Sequence, residues 1–197
     1  MSKLVLYGAG GHAKVVAEIA ELSEYAELVF CEDKLTKTKV WGYPVVSEVD
    51  ECEECILAIG SNAVRRKLAL DLRNRFVILI HPKNQISRRV FIGEGTVIMA
   101  GVSVNVDVSI GKHCIINTNA SVDHDCVIED FVHLSPNAAL AGNVHIGEGT
   151  HVGIGACVIQ GIKIGKWCTI GAGAVIIHDV PDGCTVVGNP GRIIKRY

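Results

Sequence analysis

From Ile92 to Ile176 every sixth residue is Ile, Val or Leu, without a slip. The series passes through Ile98, Val104, Ile110, Ile116 and Val122, and continues through Ile128, Leu134, Leu140 and Ile146. The residues four further on, from Thr96 to Ala174, are uncharged and mostly small. Gly often follows the aliphatic position, as at Gly93, Gly111, Gly147, Gly165 and Gly171. A period of six with two inward positions fits neither an α-helix, with its period of about 3.6, nor a flat strand, with its period of about 2. It fits short strands joined by tight corners. The aliphatic side chain fills the interior, the small one leaves room for it, and Gly is expected to permit the corner backbone. Three such sides close a triangular coil of eighteen residues, so 92–176 make nearly five coils. Successive coils should stack at about 4.8 Å, the spacing of paired strands. Cys114, Cys126 and Cys168 fall on small inward positions and read as core filler. Aromatic residues are only 5% of the chain, which suits a solenoid better than one large irregular core.

Residues 1–80 follow a different grammar. Lys3–Tyr7 reads as a buried strand, residues 8–12 as a Gly-rich turn, and Ala13–Leu22 as a helix. Glu27–Cys31 and Cys55–Ile59 read as further strands, 62–73 as a helix, and Phe76–Ile80 as a last strand. Strand–helix alternation predicts a small parallel sheet. The first turn fits G-x-G-x-x-A through Gly8, Gly10 and Ala13, with Glu32 about twenty residues on, a dinucleotide fingerprint. Eighty residues supply only half of the usual doubly wound fold, so a Rossmann-like half domain with a mononucleotide or nucleotide-sugar site is expected. Gly lets the backbone approach a phosphate, and the helix N-terminus offers N–H groups to it.

The 197 residues carry a net charge of −2, so no basic field draws the chain to nucleic acid or an acidic membrane. No apolar run approaches the roughly 18 residues of a membrane span. The N-terminus reads as a strand and turn, not a signal peptide. Cys52 and Cys55 form one CxxC, without a second pair at zinc-site spacing and with flanking Glu that disfavours a thiolate. Reduced, structural thiols in a cytoplasmic protein are expected, and no metal.

The two parts together resemble the hexapeptide-repeat sugar acetyltransferases. The resemblance is to bacterial enzymes modifying UDP-linked 4-amino sugars and to their sialic acid O-acetyltransferase relatives. It runs the full length, through the Gly8–His12 turn, residues 58–62 (Ala-Ile-Gly-Ser-Asn), 117–126, 141–143 and 187–190. It implies an α/β Rossmann-like half domain (1–80) that binds a nucleotide sugar. A left-handed parallel β-helix (81–197) with a short C-terminal tail would follow, binding acetyl-CoA and carrying the catalytic residues. The left hand comes from the family alone, since physical chirality favours right-handed crossovers. The family also implies a homotrimer with acyl-CoA lying between neighbouring subunits.

Transfer of an acetyl group to an amine needs a base to take its proton, and His is the natural choice near neutral pH. By resemblance His124 is that base and Asp125 its acidic partner; Asp123 also flanks it, and the sequence leaves the choice between them open. The resemblance further assigns Gly10, Gly11, His12, Glu32, Asp33 and Gly60 to the nucleotide-sugar pocket, and His133, Ile154 and Ala172 to acetyl-CoA. The eighteen-residue circuit sets Gly142 one coil above His124, an opening expected to admit the pantetheine thioester. It also stacks His151 on His133. Residues 124 and 133 are half a coil apart, so one site using both would draw them from different subunits. The leading expectation is N-acetylation of the 4-amino group of a UDP-linked amino sugar. The alternatives are O-acetylation of a sialic acid or related sugar, a zinc hydratase using His133, His145 and His151 (which share a phase of the repeat), and a non-catalytic sugar-nucleotide sensor.

Overall fold

The computed structural model describes residues 3–23, 25–50 and 53–196. Its N-terminal part contains β1 (Lys3–Tyr7), α1 (Gly11–Leu22), β2 (Glu27–Cys31), β3 (Lys39–Val40), β4 (Tyr43–Val46), β5 (Glu54–Leu57), α2 (Asn62–Asp71) and β6 (Arg75–Phe76). They form one sheet in the order β3-β4-β2-β1-β5-β6, parallel except for the β3–β4 pair. The central strand β1 reads as a buried apolar run because Leu4, Val5 and Leu6 have no exposed surface. Strand β2 lies on one side of β1 and β5 on the other. Their carboxyl ends therefore frame a crevice at the point where strand order reverses, the usual ligand position in open α/β sheets.

Three local expectations shift. Helix α1 starts at Gly11, so Gly11 and His12 belong to its first turn, and Gly10 is the N-cap with extended backbone. Strands β3 and β4 were not expected; Gly42 and Pro44 interrupt the strand pattern across 39–46. The stretch Phe76–Ile80 is not one strand: Arg75–Phe76 pairs with β5, whereas Leu79–Ile80 pairs with Val97–Ile98. The chain crosses from sheet to solenoid within two residues, and Ile80 and Ile86 extend the six-residue series upstream of Ile92.

From Leu79 onward, two-residue strands pair in parallel with those eighteen residues away, as in Ile116↔Leu134 and Val122↔Leu140. They build three faces. The first face begins at Leu79–Ile80, the second at Gln85–Ile86 and the third at Phe91–Ile92. The aliphatic series and the small series fill the interior: Ile98, Ile116, Leu134 and Ile146 are fully buried, as are Cys114, Ala120, Cys126 and Ala138. Cys184–Val187 and Arg192–Arg196 close the last coil as an antiparallel pair.

The glycines after the aliphatic residues do a different job from the one expected. Gly93, Gly111, Gly147 and Gly165 do not have positive φ. A Cβ on Gly93 would lie 2.6 Å from the Gly111 backbone, and one on Gly147 2.6 Å from the Gly165 backbone. These glycines permit close stacking of coils. The left-handed backbone falls two residues later, at every corner from Gly95 to Gly173. Non-glycine residues hold many of those corners, including Asp107, Asn119, Asp125, Asn137 and Asn143, whose short polar side chains tolerate that region.

The sheet domain docks on the lower coils of the first face. Leu79, Val97, Met99 and Ile115 share one core with Leu4, Leu6, Ile19 and Phe30. Two polar side chains of α2 reach across the seam. Asn62 donates to the carbonyls of Gly149 and Thr150 at 2.9 and 3.3 Å, and Arg65 donates to those of His113 and Phe131, each at 3.0 Å. No helix among the described residues is long and apolar enough to cross a membrane.

Candidate active site

The corner after Ser121–Val122, between the second and third faces, carries Asp123, His124 and Asp125. Asp125 holds the left-handed position, φ 59°, and its Oδ2 lies 2.7 Å from His124 Nδ1. Asp123 turns the other way: its Oδ1 accepts from the His124 backbone N–H at 2.8 Å and from Asn105 Nδ2 at 2.7 Å. Asp125 is therefore the carboxylate on the ring, and Asp123 braces the corner from the coil below. The hydrogen bond to Asp125, then the charge of Asp123, raises the His124 pKa above its ordinary value. The pair is exposed, at 55% and 60% of side-chain surface. With Nδ1 engaged, Nε2 is the ring nitrogen left for a substrate proton.

Gly142 lies directly over this ring. A Cβ there would meet His124 Cε1 and Nε2, each at 2.7 Å. The space left by the missing side chain is thus occupied by the imidazole edge itself, where an opening for pantetheine was expected. The Asn143 N–H donates to the His124 carbonyl at 2.9 Å and ties the corner to the next coil.

A second cluster sits at the seam. His133, on the first face, stacks on His151 one coil above, with ring centroids 4.8 Å apart. Asn117 Nδ2 lies 3.1 Å from His133 Nε2, and Ser135 Oγ lies 2.7 Å from His151 Nε2. The Gly60 carbonyl and His12 of α1 both lie near enough to the His133 ring to act on its charge. Burial, then the neighbouring His151, Arg65 and His12, pushes His133 down to about 3. Burial and Arg65 push His12 down to about 4. The His12 Nε2 is buried without a hydrogen-bond partner among the described residues. The structure thus brings His12, Gly60 and His133 together, although the first two were assigned to the sugar and the third to CoA. His124 stays apart from them, on the corner opposite the first face.

Glu32 and Asp33 lie elsewhere in the sheet domain. They line a cleft of about 460 Å³ at the ends of β1 and β2 with Tyr7, Ile59, Lys67 and Asp71. Asp33 accepts from the Tyr7 hydroxyl at 2.7 Å. Glu32 accepts from the Thr36 N–H and hydroxyl at 2.8 and 2.7 Å, which lowers its pKa. Gly10 and Gly11 are exposed at the head of α1, where an added Cβ would meet nothing within 4 Å, and α1 has no side-chain cap. Lys37 Nζ donates to the Ala9 carbonyl at 2.8 Å and braces that turn. Ile154 and Ala172 are exposed, eighteen residues apart in the column of corners between the first and second faces.

Other expectations fall away from these clusters. His145 is on the third face against Glu129, at 2.8 Å, so it does not join His133 and His151 within a chain. Cys55 is buried and its thiol is pushed up to about 12 by burial, which keeps it protonated; its CxxC partner Cys52 lies outside the described residues. Arg65, Asn62 and Ser135 were missed. Only the Asn62 identity, inside a quoted strand end, offered any signal.

Two family models match the chain: the PglD N-terminal domain over residues 3–72 and the bacterial transferase hexapeptide (six repeats) over 143–178. The acetyltransferase domain of PglB from Neisseria gonorrhoeae FA1090, solved in complex with acetyl coenzyme A, is 43% identical. That match covers 98% of each chain, with a TM-score of 0.92. The chain belongs to the hexapeptide-repeat sugar acetyltransferases. Another solved member of this family is PerB from Caulobacter crescentus in complex with CoA and GDP-perosamine, 38% identical over 99% of this chain and 98% of that one, TM-score 0.91. UDP-N-acetylbacillosamine N-acetyltransferase of Bacillus subtilis (strain 168) is 43% identical over 113 residues, 51% of this chain and 52% of that protein. The match thus spans about half the length of that curated acetyltransferase.

Proposed function

We propose that this chain is a cytoplasmic, homotrimeric acetyltransferase that moves the acetyl group of acetyl-CoA onto the 4-amino group of a UDP-linked amino sugar. One observation carries the reading: an exposed imidazole held at Nδ1 by Asp125, with Nε2 beneath Gly142 and left for a substrate proton. His124 Nε2 takes the proton as the amine nitrogen attacks the acetyl carbonyl. The C–N bond forms, the C–S bond breaks, and the proton passes from His124 to the departing CoA thiolate. Asp125 keeps the Nδ1 proton in place and stabilises the imidazolium that forms in between. The named relatives support the substrate class, since one is bound to acetyl coenzyme A and another to CoA and GDP-perosamine.

The sheet domain supplies the nucleotide-sugar site. The uncapped head of α1 at Gly10 and Gly11 suits a phosphate, and the cleft at Glu32 and Asp33 suits the nucleoside. His12 and Gly60 then meet the sugar at the seam. Ile154, Ala172 and His133 contact acetyl-CoA, and Gly142 sets the depth of the His124 ring. His124 and the seam lie on opposite sides of one coil, so a complete site takes His124 from one subunit and the seam from its neighbour.

A panel of UDP-, GDP- and dTDP-linked 4-amino sugars and a sialic acid, each incubated with acetyl-CoA, tests the reading by CoA release and by the mass of the sugar product. A UDP-linked acceptor gaining one N-acetyl group is expected. Acetylation of a sialic acid hydroxyl in its place, or no thiol release with any acceptor, contradicts it.

A further inference from the structure

Two polar side chains form rungs between the first face and the corner that follows it. Asn117 comes directly after Ile115–Ile116, and Ser135 holds the same position one coil higher, after His133–Leu134. Asn117 Nδ2 lies 3.1 Å from His133 Nε2, and Ser135 Oγ lies 2.7 Å from His151 Nε2. The two rungs differ in what they dictate. A hydroxyl both donates and accepts, so Ser135 leaves the position of the His151 proton open. A carboxamide has one donor end and one acceptor end, so its orientation decides what the facing ring nitrogen must do.

The orientation of Asn117 is fixed. Its backbone N–H donates to the Leu134 carbonyl at 2.9 Å, and its carbonyl accepts from the Ala120 N–H at 3.0 Å. Its Oδ1 accepts from the Thr118 N–H at 2.8 Å. Turning the amide over would set its NH₂ against that N–H, donor against donor. Nδ2 therefore faces the ring and donates to His133 Nε2. Nε2 must then be bare. Burial keeps this ring neutral, with its pKa down to about 3, so its one proton sits on Nδ1. The stacked His151 ring, with 18° between the planes, holds the imidazole in place. We propose that Asn117 is a positioning residue for acetyl-CoA: its anchored amide fixes His133 as the Nδ1–H tautomer, so that this ring meets the cosubstrate with a single, set donor edge. The corner that Asn117 opens belongs to the column that carries Ile154 and Ala172 two and three coils higher. The role of His133, Ile154 and Ala172 towards acetyl-CoA rests on the function proposed above.

Asn117→Asp keeps the shape of the side chain and its bond to the Thr118 N–H, and replaces the donor facing His133 with an acceptor. Two measurements on the full-length protein separate positioning from a merely structural role. The first is the ¹⁵N signature of the His133 ring at neutral pH. The unaltered protein should show a protonated Nδ1 and a bare Nε2, and Asn117→Asp should protonate Nε2. The second is binding. The affinity for acetyl-CoA, measured by calorimetry, should fall about tenfold, while KM for the amino sugar moves less than about twofold. A bare Nε2 in folded Asn117→Asp overturns the proposal. So does a rise in KM for the amino sugar with acetyl-CoA binding unchanged. Ser135→Ala, one coil higher, should leave the His133 signature as it is; a protonated His133 Nε2 there would show that the effect does not belong to Asn117. Should Asn117→Asp not fold, Asn117→Ala removes the donor and should give a mixture of both tautomers, and an unmixed Nδ1–H signature overturns the proposal equally. If the unaltered protein acetylates no amino sugar, the function fails separately, and the ring signature alone decides the role of Asn117.

Discussion

Two histidine sites built on the same repeat behave oppositely. His124 stands on a corner, more than half exposed, beside two carboxylates that raise its pKa. His133 points outward from a strand, yet the sheet domain covers it, and burial pushes it down to about 3. One site holds a proton more readily than a free imidazole does. The other is built to stay uncharged and to present fixed hydrogen bonds. The difference comes from the neighbours, since the coil backbone is the same at both. A solenoid offers many equivalent outward positions, and an attached domain makes some of them unlike the rest.

The largest break in this contrast should come from His124→Ala. Loss of a general base lowers kcat by about 10²–10⁴-fold, read in single-turnover experiments where chemistry limits the rate. His133→Ala should act mainly on KM for acetyl-CoA. A His124→Ala enzyme with near-normal chemistry would remove the distinction between the two sites. Next in size is Gly142→Ala. Its new Cβ would lie 2.7 Å from the His124 ring and must displace it. A misplacement of about 1 Å costs on the order of 10²-fold in kcat, with little change in the binding of the amino sugar, measured by calorimetry.

Asp125→Asn should have a smaller effect, of about tenfold in kcat/KM. It also moves the pH profile in a defined direction. The proposed general-base step needs neutral His124, so the acid limb of kcat/KM should follow the His124 pKa in the free enzyme. Asp125 raises that pKa, so its removal should shift the acid limb to lower pH. Asp123→Asn should shift it less, and a shift to higher pH would contradict the assignment.

The seam also predicts an effect on stability. His12, His113 and His133 fall to about 4, 4 and 3 in the folded chain, against about 6.5 unfolded. The unfolded state therefore binds more protons between those values. The stability associated with these neutral rings is complete above about pH 6.5 and is lost progressively as pH falls towards the folded values. Urea midpoints taken from pH 7 to pH 4 should drop, and His113→Phe, which removes one titrating ring from the stack of Phe76, His113 and Phe131, should flatten that drop. Midpoints independent of pH would contradict it.

Most of the solenoid was legible in the sequence because its rule is local and repeats. The aliphatic step of six fixes the inward face, and eighteen-residue neighbours such as His133 and His151 follow by addition. The true start at Leu79 was hidden because Phe76–Ile80 is apolar enough to read as a single strand. The corners were legible only in part. Asn119 and Asp125 suit the left-handed region, but Phe131 and Trp167 occupy the same position with no local signature. The resemblance pointed to Asp125, but sequence places both Asp123 and Asp125 beside His124, and only geometry puts Asp125 on the ring. Arg65 was illegible because its role depends on five acceptors brought from three separate segments. Surface-type sequence around a buried cation gives no local clue.

The most direct test joins the two sites. His124→Ala chains and His133→Ala chains, each weakened alone at sub-saturating acetyl-CoA, are unfolded together and reassembled as mixed assemblies of the trimer proposed above. At equal mixing, about a quarter of the subunit interfaces should pair an intact His124 with an intact seam, and CoA release should return in that proportion. Mixed trimers, verified by mass, that recover no activity would contradict a site shared between the exposed corner and the buried seam.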